Sequence, residues 1–136
     1  MRKTAFITGA TSGIGKSTAI LFALNGINLV LCGRRQDRLD ALKEELGKEV
    51  QVHTLNFDIR NKESVQEAVD SLPKEFSQID ILINNAGNAH GMDTIQDGNI
   101  DDWDAMLDIN VKGLLYVSKA IISQILFISL SLDHIM

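Results

Sequence analysis

The 136-residue chain has a single cysteine, Cys32, so no internal disulfide can form and a reducing, cytoplasmic setting is expected. Cys32 falls within an apolar strand pattern, where a buried structural thiol is the expected reading. Positive charge is also scarce. Thirteen Lys and Arg stand against 18 Asp and Glu, a net charge of −5, which argues against a nucleic-acid partner, since phosphates demand clustered cations. Long hydrophobic runs are missing too. The most apolar stretch, residues 121–132, is about a dozen residues and too short to span a bilayer, so no membrane association is expected. Strand-like alternation begins almost at Met1, so no signal peptide is expected. The three histidines, His53, His90 and His134, show no metal-ligand spacing, and no metal is expected. There is one proline, no internal repeat, no low-complexity tract and no linker. What remains is 45% hydrophobic and 23% charged, ordinary for a globular domain, and the length suits one domain with a workable core.

Apolar runs and helical stripes alternate along the chain. Residues 4–8 read as a buried strand, followed by a helix from about 14 to 25 that stops at Gly26. Residues 29–32 form a second buried strand. Leu39, Leu42 and Leu46 mark one face of a second helix, ended by Gly47. Residues 50–55 are β-branched enough for a third strand. Asn61 can cap a third helix whose buried face is Val65, Ala68, Val69 and Leu72, stopped by Pro73. Residues 79–83 are a fourth strand, and a longer helix should run from about 101 to 124. Such alternation predicts parallel strands, right-handed crossovers and helices on both faces: an α/β, doubly wound sheet.

Candidate site residues cluster where strands end. TGATSGIG at 8–15 leaves the first strand and opens the first helix, a place where backbone N–H groups can approach a phosphate. Gly13 and Gly15 carry no Cβ, so a pyrophosphate can come close and the helix can pack tightly on the strand. An ordinary tight turn is the plainer alternative. The second strand ends in Gly33, Arg34 and Arg35, with two guanidiniums where a nicotinamide-binding fold often places an acid for the ribose hydroxyls. Arg pairs with a 2′-phosphate that an acid would repel, which favours NADP over NAD. A solvated helix start for Arg34, Arg35 and Arg38 is the lesser alternative.

Asp58 follows the third strand and could accept a hydrogen bond from an adenine amino group, or serve as a turn residue. NNAG at 84–87 follows the fourth strand. Its two amides can tie neighbouring strand ends together, and Ala86 and Gly87 leave room for a ribose; a plain Asn–Gly turn is the alternative. Asn110 falls in an apolar stripe of Trp103, Leu107, Leu114 and Val117. A buried amide there needs a partner, such as a carbonyl at a helix kink or a water, though it could also be a satisfied core residue.

Together these residues resemble the short-chain dehydrogenase/reductase family over roughly residues 1–124. The resemblance implies a Rossmann-like sheet of strand order 3-2-1-4. It makes Gly9, Thr11, Ser12, Gly13, Ile14 and Gly15 the cofactor loop, with Arg34 and Arg35 beside the 2′-phosphate. Asp58 and Ile59 become the adenine-contacting pair, and Asn84, Ala86 and Gly87 belong to the NNAG motif. Asn110, in NVKG at 110–113, becomes the family's active-site Asn. The implied activity is NADP(H)-dependent hydride transfer to or from a small hydroxy or keto substrate. GRRQDRL at 33–39, SLP at 71–73 and NNAGNAHGMD at 84–93 resemble the NADP-dependent 3-hydroxy acid (serine) dehydrogenase branch.

The chain also departs from the family. The family's chemistry uses a Tyr, a Lys four residues after it and an upstream Ser, in which Tyr handles the proton on the substrate oxygen. Here the single tyrosine, Tyr116, has Lys119 three residues on, and both should be helix surface and core. Residues 125–131 could pass for the family's fifth strand, with Ser129 or Ser131 a vestigial match. Residues 121–136 otherwise fit the family poorly. The expectation is therefore an incomplete, C-terminally shortened dinucleotide-binding domain over residues 1–136, inactive alone and prone to self-association. A non-catalytic nucleotide-binding or interaction module is the alternative.

Overall fold

The computed structural model describes residues 1–87 and 93–133, with the side chains of 123–124 and 126–133 outside that description. His90, His134 and part of the NNAGNAHGMD motif therefore lie outside the described residues. Four parallel strands, β1 (Thr4–Ile7), β2 (Asn28–Gly33), β3 (Val52–Asn56) and β4 (Ile81–Ile83), form one sheet of order β3-β2-β1-β4. The helices are α1 (Gly13–Leu24), α2 (Gln36–Leu46), α3 (Lys62–Asp70), α4 (Ile100–Leu107) and α5 (Leu114–Asp133).

Period-two alternation in the strands builds two cores. Ala5 and Ile7 of β1, with Leu29 and Leu31 of β2, pack against Ala19 and Ala23 of α1 and Leu39, Leu42 and Leu46 of α2. Phe6, Val30 and Cys32 face the other way, toward Val65 and Val69 of α3 and Val117 and Ile121 of α5. Burial on both faces explains why β1 and β2 read as unbroken apolar runs. Local signals act as expected at several ends. Asn61 accepts a hydrogen bond from the Ser64 amide at 2.9 Å, and Gly26 adopts φ +74°, the left-handed conformation that stops α1. The fourth strand is shorter than its apolar run because the chain is already committed at Asp80. The Asp80 amide donates to the Thr4 carbonyl at 2.9 Å, and its carboxylate accepts from the Thr4 amide at 2.8 Å.

Two expectations fail in the C-terminal helices. Residues 125–131 form no fifth strand; they continue α5 to Asp133. No Gly or Pro interrupts residues 114–133, and the spacing Val117, Ile121, Ile125 keeps one helical face on the sheet. The side chains of Ser129 and Ser131 lie outside the described residues. The stripe expected to be buried is also largely outside: Trp103, Leu107 and Leu114 are 36%, 55% and 40% exposed. A π-helical turn, Asp108–Gly113, separates α4 from α5 and resets which face points inward. Ile109, Gly113, Val117 and Ile121 take the buried positions, four residues apart. Gly113 sits close against Ile59 there, and an added Cβ would come within 2.7 Å of the end of that side chain, which would have to shift. Asn110 sits inside this kink, as a helix-kink amide should, but on its exposed side. No helix among the described residues is long and apolar enough to cross a membrane.

Candidate functional site

A cleft of about 870 Å³ opens along the carboxyl ends of the four strands, large enough for an extended cofactor. Its first wall is the loop between β1 and α1. Gly9 has φ +62° and Gly13 φ +55°, conformations that cost a side-chain-bearing residue about 1–2 kcal/mol. At Gly9 space is tight as well, because a Cβ would lie 2.9 Å from Ala86 Cα; at Gly13 nothing lies within 4 Å, so only the backbone angle matters. Gly15 is the tightest position. A Cβ there would collide with the Gly9 carbonyl and the Asn85 amide, so this glycine serves helix–strand packing and does not line the cleft.

Gly13 and Ile14, the first residues of α1, line the cleft. Ser12 precedes it in an extended conformation without a side-chain cap, and the first turn carries no acidic residue. No side chain of Ser12 and no first-turn acid offsets the partial positive charge of this helix end.

Strand β2 delivers the second wall. Cys32 lies at its base, and burial holds its thiol well above the ordinary range, so it stays protonated as a structural side chain. Arg34 and Arg35 follow on the exposed rim, where Arg35 Nη2 donates to Thr11 Oγ1 at 3.3 Å. No acid lines this end of β2.

Asp58 and Ile59 come from the end of β3. The Asp58 carboxylate accepts from the Arg60 backbone amide at 3.0 Å, from Arg60 Nε at 3.0 Å to each oxygen and from Nη2 at 2.6 Å. Hydrogen bonding from Arg60 holds this carboxyl below its usual value, and the Arg60 guanidinium is raised in return. Asp58 is therefore a turn residue and a cleft-lining acid at once.

From β4 come the four residues of NNAG, and the two amides divide their work. Asn84 Nδ2 donates to Ser118 Oγ at 2.9 Å, tying the strand to α5 away from the cleft. Asn85 Nδ2 donates to the Gly9 carbonyl at 3.1 Å, tying it to the β1 loop. Thr8 Oγ1 accepts from both the Asn85 and Ala86 amides at 3.0 Å. Gly87 lines the cleft next to Asn110, whose Oδ1 would lie 3.1 Å from a Cβ on that glycine.

Gly9, Thr11, Ser12, Gly13, Ile14, Arg34, Arg35, Asp58, Ile59, Ala86 and Gly87 thus converge on one cleft, whereas Gly15, Asn84 and Asn110 stand behind or beside it. Thr8 lines it too, a member of the 8–15 motif given no role of its own by the sequence, and so do Phe57 and Ile109, which the sequence did not single out. Thr8 could have been found, because a hydroxyl at the end of a buried strand needs a partner. Ile109 could not, since its inward position depends on the π-helical turn. Tyr116 is partly buried against the core, and Lys119 is exposed on α5.

A parallel sheet of order 3-2-1-4 with a glycine-bounded helix N-terminus at its switch point is a dinucleotide-fold architecture. The family model for short chain dehydrogenases matches residues 3–129, and the chain belongs to that family. It is 43% identical over 126 residues to sulfoacetaldehyde reductase 2 of Chromohalobacter salexigens, covering 93% of this chain and 50% of the relative. It is 42% identical over 116 residues to the NADP-dependent 3-hydroxy acid dehydrogenase YdfG of Salmonella typhi, covering 85% of this chain and 46% of the relative. Among solved structures, the closed form of a serine dehydrogenase complexed with NADP+ superposes with a TM-score of 0.82 at 40% identity, over 89% of this chain and 48% of the other. The chain spans about half the length of the relatives it matches.

Proposed function

We propose that the cleft holds NADP(H) for an oxidoreductase of small hydroxy or keto compounds, a 3-hydroxy acid being the favoured class, in the cytoplasm. One observation carries this reading: an uncapped helix N-terminus and two guanidiniums face one cleft, with no acid at the end of β2. Gly9, Thr11, Ser12, Gly13, Ile14 and Gly15 shape the pyrophosphate cradle, and the first N–H groups of α1 donate into it. Arg34 and Arg35 take the 2′-phosphate. Asp58 and Ile59 flank the adenine. Ala86 and Gly87 keep the far ribose site open, Asn84 fixes the strand end behind them through Ser118, and Asn110 holds the catalytic end of the family site from the π-helical turn. When bound, the nicotinamide supplies or accepts hydride. The NADP-dependent relative supports the choice of cofactor.

The residue pattern also favours a second, narrower reading for this chain alone. Lys119 follows Tyr116 by three residues rather than four, and Tyr116 packs against the core. No residue here matches the family's proton donor, so the 136 residues bind cofactor and transfer no hydride. Calorimetric titration with NADPH and NADH tests the cofactor reading. NADPH should bind about tenfold more tightly, the worth of one charge-assisted hydrogen bond. Arg34→Asp should erase or reverse that preference, and equal affinities in the unmodified chain would overturn it.

A further inference from the structure

Three basic side chains crowd the adenosine end of the cleft, and they are not equivalent. Arg34 and Arg35 line it; Arg60 does not, yet it makes the ion pair with the acid that does. Both Asp58 oxygens are engaged by Arg60, through Nε to each and Nη2 to one, while the Arg60 backbone amide anchors Oδ1. Arg34 makes no salt bridge among the described residues, although it lines the same cleft as Asp58 and its charge is felt at that carboxylate. The other acid near Arg60, Asp108, has its own counter-ion in Lys112 at 3.0 Å.

A carboxylate in this position has two ways to spoil recognition of a doubly charged phosphate. It can repel the phosphate, or it can draw away the guanidinium meant for it. We propose that Arg60 is a positioning residue for cofactor choice: by occupying Asp58 it leaves Arg34 available to the 2′-phosphate. This rests on the NADP reading above. NADH carries a neutral hydroxyl where NADPH carries that phosphate, so it should be nearly indifferent to Arg60. The spacing supports a dedicated role. Arg60 is two residues beyond Asp58, within the same turn, so its fork reaches back without leaving the loop.

A double-mutant cycle read by NADPH and NADH affinities, at low ionic strength where exposed charges are least screened, tests this. Arg60→Gln should weaken NADPH about three- to fivefold, the range of a partly exposed ion pair, and shift NADH less than about twofold. Arg60→Lys, which keeps the charge and loses the fork, should fall between. In an Asp58→Asn background, Arg60→Gln should leave the preference unchanged, because no carboxylate remains to be held. Equal weakening of both cofactors would reduce Arg60 to a structural role and overturn the proposal. A loss of preference that persists in the Asp58→Asn background would also overturn it, by making Arg60 a direct phosphate ligand. A chain that never prefers NADPH would instead sink the NADP reading, and this one with it.

Discussion

Asn85 and Gly9 meet across the gap between β4 and β1, the Asn85 amide donating to the Gly9 carbonyl at 3.1 Å. Residues 76 positions apart thereby set the shape of one loop. Beneath them Gly15 leaves no room for a Cβ, so strand end, loop and helix start are locked as a unit.

Removing that amide should loosen the unit. Asn85→Ala is expected to cost about 1–3 kcal/mol, because it strands a part-buried carbonyl. Thr8→Val should cost at least as much, since it leaves two amides without their shared acceptor. Denaturant unfolding measures both. A loss within about 0.5 kcal/mol for either would show that the loop holds its shape without the network.

The glycines should separate by mechanism. Gly13→Ala meets no atoms and should cost about 1–2 kcal/mol from its backbone angle alone. Gly15→Ala must push the helix away from the Gly9 carbonyl and should be the more damaging of the two. Thermal unfolding of the two variants side by side checks the order, which the reverse ranking would contradict.

Acid should weaken the Asp58–Arg60 pair in a defined window. The Asp58 carboxyl is held below its ordinary value, so its contribution is present above the unfolded carboxyl's pKa and is lost as pH falls through the folded one. The pair is partly exposed, and its worth at neutral pH should be about 1 kcal/mol or less. Asp58→Asn should therefore lower Tm slightly at pH 7, by an amount that shrinks as pH falls below the ordinary carboxylate range. An undiminished difference in acid would place the effect outside the ion pair.

The outward face of the C-terminal helices should drive self-association. Leu107, Val111, Leu114, Leu115 and Ile122 are all exposed along α4, the π-helical turn and α5. Apolar surface gathered in this way favours burial against another molecule. Light scattering after size-exclusion chromatography should show a concentration-dependent mass, reduced by Leu107→Lys combined with Leu115→Lys. A monomer at every concentration would mean that this face is tolerated in water.

Turnover is the remaining test. Purified chain should not oxidise NADPH with carbonyl substrates above background, since a general acid typically contributes about 10²–10⁴-fold. Tyr116→Phe should leave cofactor affinity unchanged, and a drop in reproducible NADPH oxidation on that change would restore Tyr116 as a catalytic group.

Much of the molecule was legible before any coordinates. Strand runs, the leucine stripe of α2, the Asn61 cap and the Gly26 stop are local patterns, decided by neighbours within a turn or two. The order of the strands is implied by the family resemblance that the motifs at their ends carry, and the sheet has that order. The segment 125–131 is ambiguous in the sequence because a short apolar run suits a strand or a buried helix equally well. Only its continuity with Val117 and Ile121 on one face decides between them.

By itself, the amino-acid sequence determined the α/β alternation, the glycine-rich turn after β1 and the paired arginines after β2, since each depends on residues adjacent in the chain. The tertiary structure alone decided the division of labour between Asn84 and Asn85, the role of Thr8 as a shared acceptor and the inward turn of Ile109 in place of Leu107. Those outcomes depend on partners many tens of residues away, or on one wide helical turn that rotates everything after it. No periodicity in the sequence encodes that rotation: a stripe read at 3.6 residues per turn runs straight through Asp108–Gly113, where the helix widens and Gly113 comes to lie against the Ile59 side chain.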